Sequence, residues 1–249
     1  MTRRIFIGDI HGHYDGLMQL LEAVDPGLKD SIYFVGDLID RGPKSRQVVE
    51  YVRQNGHQCV MGNHEQLLLE AFPKGEAHMP AFQGWLYSGG QSTLSSYTNV
   101  DDLFDHLHWI QNLPLYLDLD DIWLVHAGVN PHHTLAEQTS HEYCWIRDSF
   151  HSHRQPYFPD KLIITGHTIT FTLPGINPGD IAKGPGWIDI DTGAYHPKSG
   201  WLTALDIDNA MVYQFNVFQN MLRIRSTDEA EAYVEQHKIK QRSSQLVNS

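Results

Sequence analysis

Five apolar runs in this chain each end in a small residue or a turn and then present a side chain able to bind a metal. They are Arg4-Ile-Phe-Ile-Gly-Asp9-Ile-His11, Ile32-Tyr-Phe-Val-Gly-Asp37, Cys59-Val-Met-Gly-Asn63-His64, Ile122-Trp-Leu-Val-His126 and Leu162-Ile-Ile-Thr-Gly-His167. Short apolar runs of this kind read as buried strands. Open α/β folds place ligands in the crevice at the carboxyl ends of such strands. A single Asp or His after a strand is ordinarily a cap or turn residue. Five together, with carboxylate, amide and imidazole groups in the set, point to a hydrolase using two divalent metals.

The segments between the runs set the organisation. Leu17, Leu20, Leu21 and Val24 share one face of a helix over Tyr14–Val24. Ser45 reads as the N-cap of a second helix, carrying Val48, Val49, Tyr51 and Val52 and closed by Gly56. A third helix is expected over His64–Phe72. This alternation predicts a parallel sheet with right-handed crossovers. Residues 73–113 are rich in aromatic and small polar side chains and read as a helical cap-like insertion over the sheet, with a helix at Asp101–Gln111. A hairpin follows (Leu115–Leu119 and Ile122–Val125), which makes the sheet mixed. Antiparallel strands are expected at Trp187–Asp191, Leu202–Asp206 and Met211–Phe215. The domain spans 1–225, and 226–249 reads as a polar C-terminal helix and tail.

A length of 249 residues suits one domain, and the net charge of −12 argues against a nucleic-acid partner. No run approaches the length of a membrane span. The N-terminus passes straight into a strand without signal-peptide features. Only Cys59 and Cys144 are present, too few for a disulfide framework, so free thiols and a cytoplasmic location are expected. A monomer is the expected state.

The donor mix suits manganese, iron or zinc better than a thiolate-seeking metal. Asp37 is the natural bridge, because one carboxylate can serve two ions. The neighbours of these ligands then become recognisable. Gly8-Asp-Ile-His-Gly12, Gly36-Asp-Leu-Ile-Asp-Arg-Gly42 and Gly62-Asn-His-Glu65 resemble the three signature motifs of the phosphoprotein phosphatases within the calcineurin-like metallophosphoesterases. His126-Ala-Gly128 and Gly166-His-Thr168 resemble the family's two downstream histidine motifs. The resemblance covers roughly Arg4 to Asp206.

The resemblance implies an α/β fold, the αββα sandwich, with the metal site at strand carboxyl ends. It implies one ion on Asp9, His11 and Asp37 and a second on Asp37, Asn63, His126 and His167, most simply manganese. In such enzymes a hydroxide bridging the ions attacks phosphorus directly. His64 is then the general acid, oriented by Asp40, and Arg41 clamps the phosphate. A second clamp is expected from Arg147, with Arg154 as its rival. His132, His133, His151 and His153 read as solvated loop residues. Trp85, Tyr87, Trp145 and Trp187 read as core, and Asp189 and Asp191 as structural. The complete motif set ranks dephosphorylation of phosphoserine and phosphothreonine proteins first, with phosphotyrosine proteins as an extension of that reading. Symmetrical hydrolysis of diadenosine tetraphosphate, on the same metal chemistry, comes second.

Overall fold

Side chains alternate between two apolar layers along the central strands, and this sets the architecture. In β1 (Arg4–Ile7) of the computed structural model, which describes residues 2–239, Phe6 joins a cluster with Tyr33, Ile122, Leu124 and Ile164. Its neighbours Ile5 and Ile7 join another with Leu17, Leu20 and Val48. Successive strand residues point to opposite faces, so both faces of β1 are buried and the strand reads as continuously apolar.

Two six-stranded mixed sheets result. The first runs in the order β11 (Met221–Ser226), β10 (Met211–Asn216), β9 (Trp201–Asp206), β1, β2 (Ser31–Phe34), β3 (Gln58–Cys59). The second runs β12 (Glu231–Tyr233), β7 (Ile181–Gly184), β8 (Trp187–Asp189), β6 (Leu162–Thr165), β5 (Ile122–Val125), β4 (Tyr116–Asp118). Between them lies the Phe6 layer, and helices pack outside. This is the αββα sandwich.

Helix α1 (Tyr14–Val24) buries Leu17, Leu20, Leu21 and Val24 and lies against β9 and β10. Helix α2 (Ser45–Gln54) begins one residue earlier than expected. Lys44 stands at its N-cap, and the Ser45 hydroxyl accepts from the Asp40 N–H instead. Helix α3 (Asn63–Ala71) starts directly on the third motif. The insertion is helical: α4 (Met79–Trp85), a π-type turn at Leu86–Gly90, α5 (Gln91–Ser96) and α6 (Val100–Ile110), with α4 on α3, α5 on α2 and α6 on both.

Two expectations need correction. The five ligand-bearing runs do not share one sheet: β1, β2 and β3 lie in the first, β5 and β6 in the second. Trp187–Asp189 likewise pairs with β6 and β7 rather than with the strands after it. Local alternation marks a strand but carries no information about which sheet it joins. At the C-terminus, a helical turn at Thr227–Ala230 leads into β12, which adds parallel to β7. Residues 240–249 of the expected tail lie outside the described residues. Strands β7, β11 and β12 are short or lie at sheet edges, and their local patterns did not announce them.

Candidate active site

The motif segments leave their strands through backbone conformations that most side chains avoid. His11, Asp37, Asp40, Arg41 and His167 all have φ between +46° and +72°, five of the ten non-glycine residues in that region among those described. Left-handed residues cluster where surrounding contacts over-determine the backbone. Here the first two motif loops are laced together: the N–H groups of Ile10 and His11 donate to the Asp37 carbonyl, and Gly42 N–H donates to the His11 carbonyl. Gly62 must be glycine for space, since a Cβ there would stand 2.3 Å from Asp37 Oδ1.

Asp37 is the meeting point. His11 Nε2 lies 3.6 Å from Asp37 Oδ2, and His126 Nε2 lies 3.4 Å from Oδ1. Asn63 Oδ1 stands 3.0 Å from His126 Nε2 and 2.8 Å from His167 Nδ1. Two groups with ligand atoms close enough to share an ion emerge, His11–Asp37–His64 and Asp37–His126–His167, with Asp37 common to both. Asp9 joins the site from the side, where its carboxylate accepts the His167 N–H at 3.1 Å. In the first group the close third residue is therefore His64 rather than Asp9.

The charge state of these groups suits cations. A carbonyl can only accept, so His11 Nδ1 donates to the Ile39 carbonyl at 2.9 Å and His126 Nδ1 to the Val35 carbonyl at 2.7 Å. Each therefore presents a bare Nε2 to the centre. Burial holds His11, His126 and His167 below the ordinary histidine range, hence neutral, and His167 Nε2 has no hydrogen-bond partner among the described residues. Burial, then the charges of Asp191 and Asp37, push the Asp9 carboxyl well above its usual range. Burial acts upward on Asp37 too, but His126, His64 and His11 outweigh it and hold Asp37 low. Asp191 is raised to about 6 by burial. Buried acids this close together, with bare imidazole nitrogens facing them, fit two divalent ions and are costly without them.

His64 faces the same cavity but is tied elsewhere. Its Nδ1 lies 2.6 Å from Asp40 Oδ2. The Asp40 carboxylate also accepts from Thr93 Oγ1 at 2.6 Å and Trp85 Nε1 at 3.0 Å, both from the insertion. Arg41 N–H donates to the Gly89 carbonyl in that insertion, at a point where a Cβ on Gly89 would stand 2.8 Å from Arg41 Cγ. The Arg41 guanidinium stacks on Tyr195 at 3.9 Å and donates to His11 Nε2 at 2.6 Å.

Arg147 lines the same cavity of about 200 Å³ as Asp37, Arg41, Asn63, His64 and His167, whereas Arg154 lines a separate one with His132 and His153. The structure thus brings Arg147, not its rival, to the site. Sequence reasoning missed Glu65 and Tyr195 as site residues. The buried Glu65 carboxylate accepts from the backbone N–H groups of Asp37, Leu38 and Gly62 at 2.8–3.1 Å, clamping two motif loops together. Its place in the third motif was the available signal, while nothing local marked Tyr195. His151, read as solvated, is fully buried; Tyr87, read as core, is 96% exposed.

A family profile described as calcineurin-like phosphoesterase matches residues 2–172. The chain belongs to that family. All ten candidate site residues lie inside the matched span. Among curated relatives, the symmetrical bis(5'-nucleosyl)-tetraphosphatase of Dechloromonas aromatica is 36% identical over 134 residues, covering 52% of this chain and 45% of that protein. The protein of the same description from Escherichia coli K12 is 33% identical over 164 residues, covering 63% and 54%. The chain spans about half the length of the curated relatives it matches.

Among solved structures, one provisionally assigned as a diadenosine tetraphosphatase aligns at TM-score 0.61 with 20% identity, covering 90% of this chain and 93% of that one. A protein serine/threonine phosphatase from Saccharomyces cerevisiae aligns at TM-score 0.55 with 16% identity, covering 93% and 80%. These likenesses establish the calcineurin-like fold. No helix among the described residues is long and apolar enough to cross a membrane.

Proposed function

We propose that this metallophosphoesterase splits dinucleoside tetraphosphates symmetrically into two nucleoside diphosphates. The observation that carries this reading is the 33–37% identity to curated proteins of that description, which reverses the order suggested by the motifs alone. Asp9, His11 and Asp37 would hold one ion and Asp37, Asn63, His126 and His167 the other, with manganese preferred and iron or zinc tolerated. When bound, the two ions supply an activated water nucleophile near neutral pH and neutralise phosphate charge. Arg41 and Arg147 grip phosphate oxygens with guanidinium forks. His64, held by Asp40, delivers a proton to the departing oxygen. The cavity of about 200 Å³ lies below the roughly 300–1,000 Å³ of typical small-molecule pockets. It admits the phosphoryl centre and leaves the rest of the substrate on the surface outside.

One observation favours a second reading, hydrolysis of phosphoserine, phosphothreonine or phosphotyrosine proteins. The His64–Asp40 pair is fully assembled at 2.6 Å, and an alkoxide leaving group needs a proton far more than a phosphate anion does, whose second pKa is about 6. Rates on diadenosine tetraphosphate and on a phosphoserine peptide, compared with manganese present, test the order. A clear preference in kcat/KM for the dinucleotide is expected. Faster turnover of the peptide reverses the assignment, and failure on both substrates removes both readings.

A further inference from the structure

Beneath the cavity lies a buried pair that none of these roles uses. His151, in the helical turn Asp148–His151, and Asp189, at the end of β8, are both fully buried. His151 Nε2 stands 3.4 Å from Asp189 Oδ2, and neither atom has a hydrogen-bond partner among the described residues. The other ring nitrogen decides the chemistry. His151 Nδ1 is 3.0 Å from the Arg147 carbonyl oxygen, which can only accept, so Nδ1 carries the ring proton and Nε2 of a neutral ring is a bare lone pair.

A bare nitrogen facing an ionised carboxylate in an apolar core is repulsive and leaves two acceptors unsatisfied. One proton shared between them removes both penalties. Burial, and then the charge of Asp191, push the Asp189 carboxyl well above its usual range, while burial pushes His151 down to about 4, so the proton resides on Asp189 and is offered to Nε2.

The pair connects to the site through Arg147. Both the backbone N–H and the Nδ1–H of His151 end on the Arg147 carbonyl at 3.0 Å. The Arg147 guanidinium donates to the His167 carbonyl at 3.0 Å and to Thr168 Oγ1 at 3.1 Å. Asp189 is paired in register with Thr165, two residues before His167. Strands β6 and β8 and the His151 turn therefore meet under one guanidinium.

We propose that His151 and Asp189 are a positioning pair for Arg147. The shared proton fixes the ring against β8, the ring fixes the Arg147 carbonyl, and the guanidinium is thereby aimed into the cavity. The proposal rests on Arg147 as a phosphate clamp and is independent of which phosphate ester or anhydride is cleaved.

The test uses the metal-loaded full chain, with inorganic phosphate binding followed by calorimetry and turnover on p-nitrophenyl phosphate. His151→Leu and Asp189→Leu should each weaken phosphate binding and raise KM about tenfold, the scale of one charge-assisted contact, while kcat moves much less and metal content stays constant. Asp189→Asn should recover most of the loss, because its amide N–H can donate to Nε2. In an Arg147→Ala background, His151→Leu should add nothing. Should His151→Leu fail to fold, His151→Phe, which keeps a ring of similar size and removes the donor toward the Arg147 carbonyl, takes its place beside the two Asp189 variants. Unchanged phosphate affinity in the His151 and Asp189→Leu variants overturns the proposal. So does an equal loss without the Arg147 side chain, or an Asp189→Asn protein no better than Asp189→Leu. Arg147→Ala with unaltered phosphate affinity removes the clamp itself, and the pair's role with it.

Discussion

His64 can offer only one nitrogen to a substrate, because Asp40 holds the other at 2.6 Å. That division makes a testable case for an acid that is not a metal ligand, even though His64 lies within ligand distance of His11 and Asp37. His64→Asn should leave metal content intact and cut turnover about 10²–10⁴-fold. Loss of an ion with the histidine would assign it to the metal instead. Glu65 has no exposed surface and spends both carboxylate oxygens on three backbone N–H donors. Glu65→Gln turns an amide N–H toward those donors. It should lower stability in urea unfolding by about 1–3 kcal/mol and weaken metal binding, since Asp37 and Asn63 sit on the two loops it joins. A variant as stable as the parent, with full metal content, would assign Glu65 no part in holding the loops.

At the scale of elements, the helices of residues 73–113 reach into the candidate site. Trp85 ends α4 and Thr93 lies in α5, and both donate to the Asp40 carboxylate, while Gly89 between them holds Arg41. Trp85 is at once a core side chain with no exposed surface and a hydrogen-bond donor to the residue that orients His64. Trp85→Phe keeps most of the apolar contact and removes the donor. We expect kcat to fall severalfold with KM little changed, read from steady-state kinetics on p-nitrophenyl phosphate. If only thermal stability changes, the insertion acts as packing alone. The helices were legible from periodicity, since α1 has the expected limits and α6 is shifted by one residue at each end. Their contact with Asp40 was not, because a tryptophan's indole N–H gives no sequence signal of its partner.

For the whole molecule, the crevice where the two sheets meet concentrates acids that the protein alone cannot neutralise. The Asp191 carboxyl is raised to about 6 by burial and then by Asp37, and Asp9 is raised by burial and then by Asp191. A carboxyl whose pKa is higher folded than unfolded contributes stability that is full below about 3.8 and is lost as pH rises through its folded value. The buried histidines act oppositely: their contribution is full above about 6.5 and is lost as pH falls. Above neutrality only the acid penalty remains, and bound cations offset it. The gap in Tm between metal-loaded and chelator-treated protein should therefore widen from pH 6 to pH 8. Thermal melts at the two pH values measure it, and a constant gap would contradict the assignment of these carboxylates to a cation site.

The sequence by itself determined the candidate ligands and the family. Asp9, His11, Asp37, Asn63, His126 and His167 each follow an apolar run closely, and the short motifs around them name the family because donor types and turn glycines are local properties. Tertiary structure decided which residues share a space. It divided the five runs between two sheets, chose Arg147 over Arg154, turned the insertion inward onto Asp40, and buried His151 against Asp189. Those outcomes depend on contacts between segments as far apart as Asp9 and His167, where strand packing and burial act and local periodicity carries no information.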